Sequence, residues 1–67
     1  MENTIRVERA IVRITQAQLA DRIGVSRQTI HAVETGKFVP STVLALKIAR
    51  YFKKNVEDIF TLEESDL

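Results

Sequence analysis

The chain is predicted to be all-α: five short helices around one core. Three observations lead there. Apolar residues recur at three- and four-residue spacings in successive segments, the period that covers one face of a helix. Helix-starting and helix-ending residues separate those segments: Thr15, Gly24 then Ser26, Gly36 then Pro40 and Ser41, and Asn55. Finally, in Gln16–Thr35 the five apolar positions Leu19, Ile23, Val25, Ile30 and Val33 stand in register with a small residue, a glycine and a cap. That register is the most specific signal in the chain.

In order, Asn3 or Thr4 caps a first helix reaching Val12 or Arg13. Its apolar residues form two rows, Val7–Ile11–Ile14 and Ile5–Val12, which reads as a wide stripe facing the core; a partner chain covering one row is the alternative. Thr15-Gln-Ala-Gln18 is a capping-box pattern and opens the second helix, Gln16 to Ile23. Leu19 and Ile23 form its inner stripe, and Ala20 is small where a neighbouring helix would cross. Gly24 suits the positive φ that ends a helix, and Ser26 caps the third helix, Arg27 to Thr35. Ile30 and Val33 are its inner stripe, and Gly36 ends it. Pro40 disfavours helix at Val39, so 37–40 is a short loop. Ser41 caps a fourth helix, Thr42 to Lys53, with Leu44, Ala45, Ile48, Ala49 and Phe52 inward. Asn55 caps a last short helix anchored by Val56, Ile59 and Phe60; 60–62 is a candidate short C-terminal strand, and 63–67 is expected to fray. No linker or repeat interrupts residues 1–67, so they read as a single domain.

Composition narrows the function classes. With no cysteine and one histidine, disulfide frameworks and ordinary zinc sites are excluded. There is no nucleophile–base–orienter set and no glycine-rich phosphate loop, so an enzyme is not expected, nor are a cofactor, a metal or a small-molecule ligand. No apolar run approaches the roughly 20 residues of a membrane span, and Met1–Thr4 does not open a signal peptide. The default is a soluble cytoplasmic protein without a membrane partner. The net charge of +1 conceals an asymmetry: residues 1–54 carry ten basic and four acidic side chains, while 55–67 carry five acidic and no basic ones. A basic body suits a polyanion, although mixed surface charge alone would look similar.

The two central helices form a helix-turn-helix, whose second helix is suited to a DNA major groove. With Ile30 and Val33 inward, Gln28, His31, Ala32 and Thr35 point away from the core, and Arg27 reaches outward from the first turn. Arginine can pair with guanine O6 and N7, glutamine with adenine N6 and N7, and alanine with a thymine methyl. Arg27, Gln28, His31 and Ala32 are therefore the expected base-contacting set. For His31 a phosphate contact, or none, is as good a reading as base readout. Gln16, Ser26, Thr29, Thr35 and Lys37 are the expected phosphate contacts. Lys47, Arg50, Lys53 and Lys54 read as a solvated face of the fourth helix.

The segment TQAQLADRIGVSRQTIHAVETGKFVPS, extended by LALKIARYF and VEDIF, resembles the XRE family of Cro/phage-repressor-type regulators over about residues 4–62. The resemblance implies a compact five-helix lambda-repressor-like domain without an added sensor domain. It implies base reading by Arg27, Gln28 and Ala32, with His31 on the same face, and phosphate holding by Gln16 and Lys37. It also implies a structural ion pair between Arg9 and Glu34. The sequence departs from the family at Glu8, where an apolar residue is commoner, and at Arg13, where glycine is frequent. Small relatives dimerise through the last helix and adjoining segments, which implies Ile59, Phe60 and Leu62 at a dimer interface, with Met1–Asn3 as a pairing partner for 60–62. The expected function is a sequence-specific double-stranded-DNA-binding regulator, a repressor, acting as a homodimer on a palindromic operator. An antitoxin or protein-binding adaptor on the same fold is the alternative.

Overall fold

The computed structural model describes residues 1–67. Their order is β1 (Glu2–Asn3), α1 (Ile5–Val12), α2 (Gln16–Ile23), α3 (Arg27–Glu34), α4 (Thr42–Tyr51), α5 (Val56–Ile59), β2 (Phe60–Thr61) and a 3-10 turn at Glu64–Asp66. The five helices are those expected, joined by one small antiparallel ribbon. β1 and β2 pair within the chain, Glu2 opposite Thr61 and Asn3 opposite Phe60.

Local chemistry explains most boundaries. The Thr15 hydroxyl accepts from the Gln18 N–H at 3.0 Å, and the Gln18 side-chain oxygen accepts from the Thr15 N–H at 2.9 Å. Ser26 and Ser41 accept from Thr29 and Leu44 N–H, both at 3.1 Å. At α5 the reciprocal bond comes from Asp58, whose carboxylate accepts from the Asn55 N–H at 3.1 Å. The C-termini share one device: α1, α3 and α4 each end with paired bonds of the Schellman type, such as Ile14 N–H to Arg9 C=O and Arg13 N–H to Ala10 C=O. The left-handed residue this requires is Gly36 after α3, but Arg13 (φ 59°) after α1 and Lys53 (φ 57°) after α4. The Lys53 turn stops α4 at Tyr51, two residues short of the predicted end.

The six most enclosed side chains are Ile5, Leu19, Ile30, Val33, Ile48 and Ile59. Ala20, 3% exposed, lets α2 and α3 approach closely. Two expectations are corrected. The wide inward stripe of α1 is absent: Ile5 enters the core, but Val7 and Ile11 are 57% and 65% exposed. The inward side of α1 also carries Glu8, buried and bonded to Lys54 Nζ at 2.8 Å, and Arg9. Charge pairs take positions that apolar side chains would otherwise fill. Nor do residues 63–67 fray freely, since the Met1 ammonium holds Glu63 at 2.7 Å and Asp66 at 2.9 Å.

Candidate nucleic-acid interface

Helix α3 is held with one side inward by Ile30 and Val33, at most 1% exposed. The opposite side therefore faces solvent. Arg27, Gln28 and His31 are exposed there, and Ala32 is half-buried beside them. Lys37 is exposed just beyond the helix. Three hydroxyls expected at phosphates have bonds inside the protein. Ser26 and Thr29 share one at 2.9 Å, and Thr35 donates to the His31 carbonyl at 2.9 Å.

Beside this face lies a polar groove of about 330 Å³, lined by Arg6, Arg9, Gln16, Arg27, His31, Glu34 and Thr35. Its floor is a two-pronged ion pair: Arg9 Nε donates to Glu34 Oε2 at 2.6 Å and Arg9 Nη2 to Glu34 Oε1 at 3.0 Å. A third arm, Nη1, donates to the Ile14 carbonyl at 3.1 Å. The Glu34 hydrogen bonds raise the Arg9 pKa further above its ordinary value. Both partners are mostly enclosed, with 15% of the Arg9 side chain and 5% of the Glu34 side chain exposed. The pair fixes α1 against the end of α3, so Arg9 is spoken for despite its charge.

Gln16 joins the same network. Its Nε2 donates to Glu34 Oε1 at 3.2 Å and lies 3.3 Å from His31 Nδ1. An amide nitrogen only donates, and turning the amide over would set its oxygen against the Glu34 carboxylate. His31 Nδ1 therefore accepts, which places the ring proton on Nε2. The Gln16 side-chain donor is thus occupied. The main-chain N–H groups of Gln16 and Ala17 have no hydrogen-bond partner within the chain and are the free donors at this end of α2. Sequence reasoning assigned Gln16 a phosphate contact and missed its part in positioning His31. It also missed Arg6 in the groove wall.

A model of the helix-turn-helix family matches residues 5–59. The chain belongs to the helix-turn-helix family of DNA-binding transcriptional regulators. It is similar to an uncharacterised HTH-type transcriptional regulator of Methanocaldococcus jannaschii, 48% identical over 98% of this chain and 100% of that one. An uncharacterised HTH-type regulator of Bacillus subtilis is 44% identical with the same coverage. One from Archaeoglobus fulgidus is 48% identical over 100% of this chain and 94% of its own.

In this helix-turn-helix protein two residues expected at a dimer interface lie elsewhere. Ile59 and Phe60 are in the protomer's own core, at 0% and 8% exposure, because β2 pairs with β1 of the same chain. Of the three, Leu62 alone is exposed. No helix is long and apolar enough to cross a membrane.

Proposed function

We propose that this helix-turn-helix protein is a cytoplasmic repressor that binds a palindromic or near-palindromic operator as a homodimer, with α3 of each protomer in the major groove. The observation that carries the reading is the outward face of α3, where Arg27, Gln28 and His31 stand exposed while the Arg9–Glu34–Gln16 network braces the helix from behind. Arg27 reads guanine through O6 and N7, Gln28 reads adenine through N6 and N7, and Ala32 meets a thymine methyl; a good bidentate pair discriminates by about 1–3 kcal/mol. His31 offers one Nε2–H donor to a base edge or a phosphate. Lys37, the free amides at the start of α2 and the hydroxyls of Ser26, Thr29 and Thr35 meet the backbone, with Gln16 shaping that end rather than donating to it. The names of the relatives support a role in transcription.

The test is selection of binding sites from random duplex DNA at near-physiological salt. Enrichment of an inverted repeat whose half-sites lie about 34 Å apart is expected. Recovery of no preferred sequence refutes the reading. The exposed Val7 and Ile11 of α1 favour a second reading, an antitoxin or adaptor that covers this row with a partner protein. A stoichiometric partner that co-purifies, and is lost in Ile11→Glu, is its signature.

A further inference from the structure

We propose that Arg6, on α1, is a phosphate-contacting residue that holds the DNA backbone at the groove it shares with Arg27. The inference rests on the DNA-binding reading above and extends the footprint to a helix outside the helix-turn-helix.

Four of the groove's seven lining residues are Arg6, Arg9, Arg27 and His31, and one, Glu34, is acidic. Glu34 is consumed by Arg9, which spends all three guanidinium nitrogens on Glu34 and the Ile14 carbonyl. Neither Arg6 nor Arg27 forms an ion pair. Each therefore carries an uncompensated cation, Arg6 from the α1 wall and Arg27 from the first turn of α3.

The placement follows from helix geometry. Arg6 and Arg9 are three residues apart on α1, so they share one side of the helix. The pair between Arg9 and Glu34 turns that side toward α3. Arg6 is exposed and has neither an ion-pair partner nor a hydrogen-bond partner among the side chains around it. A phosphate diester brings what the groove lacks, an anion whose oxygens match the guanidinium fork. Because α1 lies outside the base-reading helix, this contact contributes affinity on every sequence alike.

The experiment is fluorescence anisotropy with two labelled duplexes, the selected operator and a scrambled sequence of equal length, over a series of salt concentrations. Wild type, Arg6→Gln, Arg6→Lys and Arg50→Gln are compared. Arg50 is exposed on α4 and outside this groove, so its variant makes the same change in net charge elsewhere. Arg6→Gln should weaken both duplexes about fivefold per protomer at 0.15 M salt and reduce the slope of log K against log salt by about 0.9 per protomer. Arg6→Lys, which keeps the charge, should restore most of the slope, and Arg50→Gln should leave it unchanged. An unaltered slope in Arg6→Gln overturns the proposal, as does an equal loss in Arg50→Gln, which would mean net charge alone. Loss confined to the operator also overturns it, since it would make Arg6 a base reader. Failure of the wild type to bind either duplex is a separate result: it removes the DNA-binding reading and this inference with it.

Discussion

Glu34→Ala is expected to destabilise the protein strongly while leaving its preferred DNA sequence unchanged. The substitution removes two charge-assisted hydrogen bonds from Arg9 and one from Gln16. It leaves a guanidinium whose side chain is only 15% exposed, with the Ile14 carbonyl as sole partner. Breaking a fully buried pair costs about 3–5 kcal/mol. Here the groove admits water to the stranded cation, so about 2–3 kcal/mol is the fitting magnitude. A domain of this length is stable by about 3–10 kcal/mol, and each kcal/mol moves its melting point by about 4–8 °C. The expected fall is therefore about 10–20 °C, read by thermal melting in far-ultraviolet circular dichroism. Arg9→Ala should cost at least as much, because it strands a carboxylate that is 5% exposed. The double variant Arg9→Ala/Glu34→Ala should cost much less than the two singles together, by about 2 kcal/mol, since no unpaired charge remains. The effect should persist in high salt, which screens enclosed pairs weakly. Melting of Glu34→Ala within about 2 °C of wild type, or additive behaviour of the double variant, would refute the assignment of this pair as the brace of α3.

Four further outcomes are expected. Gln28→Ala should relax specificity at one base step by about 1–3 kcal/mol, read by repeating the site selection; unchanged base preference would show that Gln28 reads nothing. Glu8→Leu should be neutral or more stable by up to about 1 kcal/mol in a urea titration, because a buried carboxylate is replaced by an apolar side chain of similar size, and a loss beyond about 1 kcal/mol would contradict this. Lys53→Gly should raise the melting point by a few degrees, relieving about 0.5–1 kcal/mol of left-handed strain at φ 57°; a lower melting point would mean the lysine side chain matters more than its backbone. The terminal clasp should open at both ends of the pH scale, followed by the amide signals of residues 63–67. The Glu63 N–H and then the Met1 ammonium hold the Asp66 carboxyl below its usual range, so its contribution is present above the ordinary carboxylate pKa and lost as pH falls through the lowered value. Glu63 and Asp66 raise the Met1 ammonium, so its contribution is present below the ordinary α-amino pKa and lost as pH rises through the raised value. A clasp unchanged at both extremes would count against the ion pairs.

Much of this architecture was legible in the order of residues because it is governed by bonds between near neighbours. A capping box such as Thr15–Gln18 spans four residues, and the stripes Leu19–Ile23 and Ile30–Val33 follow from the helical repeat alone. The outward face of α3 follows by subtraction once its inward side is known, so Arg27, Gln28 and His31 could be named without coordinates. The Arg9–Glu34 pair lies 25 residues apart and came from likeness to a family rather than from any local rule. What the tertiary structure alone decided depends on which surfaces meet. Apolar pattern counts the greasy positions on α1 but cannot choose among its sides, and the packing put Ile5, Glu8 and Arg9 inward and left Val7 and Ile11 out. Arg13 and Lys53 adopt left-handed turns although neither side chain favours them, because the next segments must turn back to reach the core. The pairing of 1–3 with 60–62 was expected from likeness to a family, but that it forms within one chain and leaves Ile59 and Phe60 in the core was decided by the fold. The groove formed the same way: no sequence spacing brings Arg6 of α1 together with Arg27 of α3, and only the closed fold places both in the lining of one groove.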